Sequence, residues 1–210
     1  MQQHWFIYLL LVLTIPAFGQ QSQRSFSVEL HGSVNETDVA TSQRENRFGV
    51  GTGSLVALGK GAHWQFLAGA EYNYTRQHFA TIPLPNDLEL NNIGLRLHTV
   101  SLPVGARFNV DKRGRMFVDA MVSLDSHVKA QFMGNIWPLH AGVHPERAYE
   151  EQLDVQRVNA GFQAGIGIAI PAGPLDIVVK PEYKINLRPL NDWPDDFKQR
   201  YFNLKVGVRI

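Results

Sequence analysis

The chain has no cysteine, which excludes both a disulfide framework and a lipoprotein attachment cysteine. It has almost no net charge. Twenty basic and 19 acidic residues leave a formal +1, so no bulk electrostatic term favours nucleic acid. Long apolar runs are also missing. Mean hydropathy is −0.16, and a bundle of membrane helices needs about 20 consecutive apolar residues per span. The one apolar run, Trp5–Phe18, is short for that purpose and ends at Ala17-Phe18-Gly19. This small-x-small pattern reads as a signal-peptide cleavage site. Residues 1–19 are therefore expected to be a signal peptide, with 20–210 forming one mature domain. The n-region carries His4 but no Lys or Arg.

What is present is alternation. From Arg47 to Gln77 two segments flank Gly59-Lys60-Gly61. Phe48, Val50, Thr52, Ser54, Val56 and Leu58 share one face of the first, opposite Gly49, Gly51, Gly53, Leu55 and Ala57. In the second, Trp64, Phe66, Ala68, Ala70, Tyr72 and Tyr74 oppose Gln65, Gly69, Glu71, Asn73 and Thr75. A period of two over a dozen residues predicts strands, and the Gly-containing turn predicts a hairpin. The same design recurs at Ser25–Val34, Gly94–Val110, Arg115–Val128, Val158–Ile170, Leu175–Leu187 and Arg200–Ile210. Pro103 interrupts one ladder position, so a bulge is expected there.

That makes eight strands. The predicted connections 35–46, 78–93, 129–157 and 188–199 are long; those between them are tight turns. An all-β, eight-stranded antiparallel up-and-down transmembrane β-barrel accounts for this, with short periplasmic turns, longer external loops and both termini periplasmic. If the apolar sets face lipid, the lumen collects Glu29, Glu71, Arg107, Asp119, Asp125, Lys180, Glu182, Lys184, Lys205 and Arg209. Both signs occur, and ion pairing can offset the desolvation of each charge. Eight strands leave an interior that side chains fill, so a charge-paired plug is expected, with a narrow pore as the alternative. Tyr72, Tyr74, Trp64, Phe202 and Tyr183 suit interfacial aromatic positions. A soluble, lipocalin-like barrel with its faces inverted is the structural rival.

The segment Tyr201–Ile210 resembles the closing strand of the outer-membrane β-barrel domain family that includes PorT-like proteins. Val100-Ser101-Leu102-Pro103-Val104 with Arg107 resembles that family's strand with a central proline. Gly161–Ile168, followed by a Pro/Gly turn and a strand ending near Tyr183-Lys184, is similar as well. Similarity to the OmpA and OmpX type is architectural. The resemblance implies the outer membrane of a Gram-negative bacterium, with outer-membrane lipid and the barrel assembly machinery as partners. A surface or periplasmic protein partner and a role in secretion or envelope assembly stay open.

The expected function is a non-enzymatic barrel whose external loops bind at the surface or serve envelope integrity. Loop 129–157 supplies Trp137, His140 and His144 as binding candidates; two His four apart without a third ligand do not make a metal site. No cofactor or catalytic set is assigned. A lipid-modifying enzyme would draw on Asp125, Ser126, His127, His78 and His98 near the outer rim. Adjacent strand residues point to opposite faces, however, so Ser126 and His127 cannot readily pair as nucleophile and base.

Overall fold

In the computed structural model the described residues are 26–39, 44–45, 48–59, 63–79, 82–84, 88–138, 147–152, 157–188 and 199–210. The expected signal peptide lies outside them. The alternation is realised as eight long antiparallel strands: β1 Phe26–Val39, β2 Phe48–Leu58, β3 Trp64–Phe79, β4 Leu88–Asn109, β5 Met116–Pro138, β6 Val158–Ala172, β7 Leu175–Asn186 and β8 Gln199–Arg209. Each pairs with its neighbours in sequence, and β8 returns to β1. The ring is fastened where Val28 and Ile210 exchange both backbone hydrogen bonds, at 3.1 and 2.9 Å. Closure leaves no open edge, which hydrocarbon could not tolerate.

A path across the ladder from Val28 runs through Val56, Ala68, Val104, Val122, Phe162, Ile185 and Arg200. It re-enters β1 at Asp38, ten residues from its start. Such a stagger goes with strands tilted about 35–45° to the barrel axis.

Burial decides which way the faces point. Asp119, Lys180 and Gln163 are 0 % exposed, whereas Ile166 is 62 % and Val122 55 % exposed. Apolar side chains thus cover the outside of every strand, and a soluble monomer rarely exposes apolar patches beyond a few hundred Å². The lipocalin-like alternative requires the opposite arrangement and is excluded. Trp64, Phe66 and Phe108 edge the belt at the end bearing the short turns. Tyr72, Tyr74, Tyr183 and Phe202 lie toward the other end.

Three expected loops are partly strand. β1 runs on to Val39, β4 starts at Leu88 and β5 continues to Pro138. Short segments Arg44–Glu45, Ile82–Leu84 and Arg147–Gln152 add to β3, β4 and β5. The physical reason is a flip of polarity. Beyond the belt, water replaces lipid outside. Ile93, Leu95, Leu97 and Ala130 turn inward and are buried, while Arg96 and Lys129 point out.

Pro103 also departs from expectation. It keeps register with Ser123 on β5, and the register with β3 is the same on either side of it. The ladder to β3 skips Leu102 and Pro103, so the missing N–H costs hydrogen bonding and inserts no residue. A bulge lies higher, where His98 opposes Lys129 but Thr99 opposes His127, leaving Val128 as the extra residue, and a second register shift falls between Asn91 and Gly94.

The β4–β5 turn shows how a short connection is fixed. Gly114 has φ 63°, and its N–H donates to Asp111 O at 3.0 Å. The Asp111 carboxylate accepts from the N–H groups of Arg115 (2.6 Å) and Met116 (3.0 Å). The Met116 N–H, with the other turn amides, holds this carboxyl below its ordinary value. A depressed folded-state pKa contributes stability above the unfolded value near 3.9, and this is lost as pH falls through the folded one. The stability difference between wild type and Asp111→Ala, taken from urea unfolding, should therefore be larger at pH 7 than at pH 3. Gly114→Ala, forced into the left-handed region, should cost about 1 kcal/mol by the same assay.

Candidate functional site

The lumen is the built site of this barrel. Inward positions of β1, β3, β4, β5, β7 and β8 carry the ions, and β2 and β6 make room for them. A Cβ on Gly53 would press on Glu71 and His31, and one on Gly165 on Glu182 and Lys180. Small residues on two strands thus let long side chains from the others cross the interior.

The ions lie in tiers. Toward the turn end, Arg107 grips Asp119 with two bonds (Nε to Oδ1, 2.7 Å; Nη2 to Oδ2, 2.9 Å) and donates to Glu29 at 2.9 Å. Its guanidinium lies 3.7 Å from the Phe117 ring centroid. Lys180 donates to the same Asp119 Oδ2 at 2.9 Å, with Glu29 at 3.9 Å and Glu182 at 3.6 Å. Glu182 links this tier to the next, where Lys205 meets both Glu182 and Glu71 at 2.6 Å. His31 Nε2 lies 3.5 Å from Glu71. Higher still, Lys184 donates to Asp125 at 2.6 Å and Ser101 at 3.0 Å.

At the bottom, Arg209 joins Asp176 (2.8 Å) and the Gly114 carbonyl (3.0 Å), tying the closing strand to the β4–β5 turn. All ten charged residues expected in the lumen are therefore found there. Nine belong to the tiers and Arg209 to this lower clasp. His31 and Asp176 are members that the sequence reading missed. His31 had a usable signal, since it shares the inward parity of Glu29 and Ser33.

Packing couples the apolar floor to these ions. Phe117 is fully buried beside Val178 and Ala169, and a Cβ on Gly167 would run into its ring. Gly167→Ala should displace Phe117 from beneath Arg107 and cost about 1–3 kcal/mol. Adding Phe117→Leu should recover part of that loss in urea unfolding, because the crowding is relieved.

In the upper lumen the amide atoms of Gln163, Ser123 Oγ, Asp125 Oδ2 and Asn186 Oδ1 are buried without a protein partner. Polar atoms so placed bind ordered water. Glu29 Oε1 and Glu182 Oε2 in the lower tiers also lack a hydrogen-bond partner, so positions suited to hydration run along the lumen.

The rim residues are distributed differently. His127 points inward and meets Thr99 Oγ1 at 3.0 Å, while its neighbour Ser126 points outward. Asp125 is engaged by Lys184 rather than by a histidine. His98 faces out, 2.5 Å from the Tyr72 hydroxyl. His78 pairs with Glu45 in the ladder. The described residues bring together no Ser, His and carboxylate from this group. Trp137 falls in β5, registered against Glu89. His140 and His144 lie outside the described residues.

No protein-family model matches the chain, and no curated protein does. Among solved structures it is similar to Ail, the attachment invasion locus protein of Yersinia pestis. In its complex with the heparin analogue sucrose octasulfate, identity is 12%, coverage is 88% of this chain and 97% of that one, and the TM-score is 0.47. A second structure of Ail gives 14% identity, the same coverage of each chain and a TM-score of 0.48. Neisserial surface protein A matches at 13% identity over 89% of this chain and 96% of its own, with a TM-score of 0.45. The barrel assignment rests on the closed ladder and its outward apolar face.

Proposed function

We propose that the protein is a small, non-enzymatic integral barrel of a Gram-negative outer membrane, with both termini periplasmic and a plugged lumen. It serves envelope integrity or surface binding through the strands and loops beyond the belt. The observation that carries this is the inversion of faces: the tiered ions are 0–5 % exposed inside, and exposed Ile, Val and Leu reach 39–62 % outside. The start of β1 and Ile210 lie at the end that bears the short turns, which supports a barrel with periplasmic termini.

The plug reading is supported by paired charges from six strands meeting across the axis. Planar-bilayer recordings should show no stable single-channel steps. Steps that vanish on neutralising Glu182 and Lys184 would replace the plug with a narrow pore. The PorT-like reading, a part in secretion or envelope assembly, is supported by the resemblance of the closing strand alone and calls for a periplasmic protein partner.

Cell fractionation followed by gel electrophoresis with and without boiling tests the main reading. An outer-membrane band whose mobility shifts on heating is expected. A soluble periplasmic protein without a shift would overturn it.

A further inference from the structure

The outer surface just beyond the belt carries a feature that the plug does not explain. On β3 the outward series Tyr72, Tyr74 ends in Arg76, and on β4 the outward series Val100, His98 ends in Arg96. Arg76 and Arg96 are direct partners in the ladder. Like charges opposite one another on a sheet face are destabilising, because their Cβ atoms are only about 4.5–5.5 Å apart. A third cation joins them. The bulge at Val128 shifts the parity of β5, so that both Val128 and Lys129 face outward and Lys129 lies opposite His98. Without that extra residue Lys129 would point into the barrel.

No ion pair links Arg76, Arg96 or Lys129 to a carboxylate among the described residues. On the β5 side, Gln131, Arg96's ladder partner, donates to Glu150 at 2.7 Å. Below the cations, the His98 ring lies between Tyr72 and Tyr74, with centroids 6.1 and 5.0 Å away, and the apolar belt begins beneath them at Val100, Leu102 and Leu124.

We propose that the Arg76–Arg96–Lys129 cluster binds the phosphate of an outer-leaflet glycolipid whose acyl chains lie on the belt below. The inference rests on the outer-membrane reading above. A phosphate between Arg76 and Arg96 replaces their repulsion with charge-assisted, bidentate hydrogen bonds. The aromatic shelf lies at the level of the sugar and headgroup, where such rings partition. Placement decides the class of ligand: a cation cluster directly above hydrocarbon-facing side chains meets an anion anchored in the membrane plane. The site is one-sided, confined to β3–β5.

The test uses the full chain refolded in detergent micelles. Native mass spectrometry measures retention of bis-phosphorylated lipid A and, separately, of its dephosphorylated form. Wild type should retain the phosphorylated lipid, and R76Q/R96Q/K129Q should lose about tenfold or more of that retention. R113Q/R115Q, altered in the turn at the opposite end, should match wild type. Equal retention by the triple variant, or equal retention of the dephosphorylated lipid, overturns the inference. The heat-dependent gel shift is read in parallel. If every protein shifts on heating and the triple variant still holds lipid, the phosphate site fails while the barrel stands. If wild type shows no shift, both fail together.

Discussion

Asp119→Ala should destabilise the barrel by about 3–5 kcal/mol, because it strips a buried partner from two cations at once. Asp119 is the shared acceptor of Arg107 and Lys180, at 2.7–2.9 Å, and is itself 0 % exposed. Without it Lys180 keeps only Glu182 at 3.6 Å, already held by Lys205, and Glu29 at 3.9 Å, already held by Arg107. The loss comes mainly from the charge left unpaired in a poorly solvated interior, less from the attraction removed. A second substitution separates the two. Adding Lys180→Met should recover at least half of the loss, since it removes the orphan and leaves Arg107 with Glu29. Urea unfolding in phospholipid vesicles, followed by tryptophan fluorescence, measures both variants. A loss below about 1 kcal/mol, the size of a solvated surface pair, would mean that water reaches the lower tier and that the lumen is not a plug.

How much of this could be read beforehand depends on where each residue sits relative to the lipid. Within the belt, lipid outside and ions inside force opposite chemistry onto alternate positions. Lys180, Glu182 and Lys184 therefore stood out against Ile177, Val179, Tyr183 and Ile185 from sequence alone. Their partners did not. Arg107 and Glu29 are 78 residues apart, and Lys205 and Glu71 are 134 apart. Only closure of β8 on β1 and the stagger of the strands choose which opposite charges meet. Above the belt the rule reverses. Leu95 and Leu97 are inward while Arg96 and His98 are outward, so alternation persists with its meaning exchanged. Residues 94–98 fall within the expected strand Gly94–Val110, but its extension back to Leu88, with Pro83 and Pro85 nearby, reads as loop. Lys129 was hidden for another reason. A one-residue bulge changes its face, and bulges leave no dependable trace in composition.

The outward face gives the second large effect. Val206→Arg should cost about 2–4 kcal/mol in a bilayer, the penalty for an arginine on the lipid face near the midplane of a transmembrane barrel. On β8 the outward series runs Ile210, Val208, Val206, Leu204, Phe202 and then Arg200. Val206 is thus the middle of five apolar positions and farthest from either interface. Val104 holds the same place on β4, between Phe108 and Val100, and Val104→Arg should lose a similar amount. Val110→Arg, just past the belt's lower edge, should lose only about 0–1 kcal/mol, because the guanidinium reaches water.

The depth profile is the decisive feature. A soluble barrel would tolerate arginine at Val206, Val104 and Val110 alike, since each site is 42–53 % exposed and a charge there would simply be solvated. A loss that rises toward the middle of each strand and falls at its ends can come only from hydrocarbon around the barrel. Equal, small losses at all three positions would remove the membrane from the account, and with it the reason for the inverted faces.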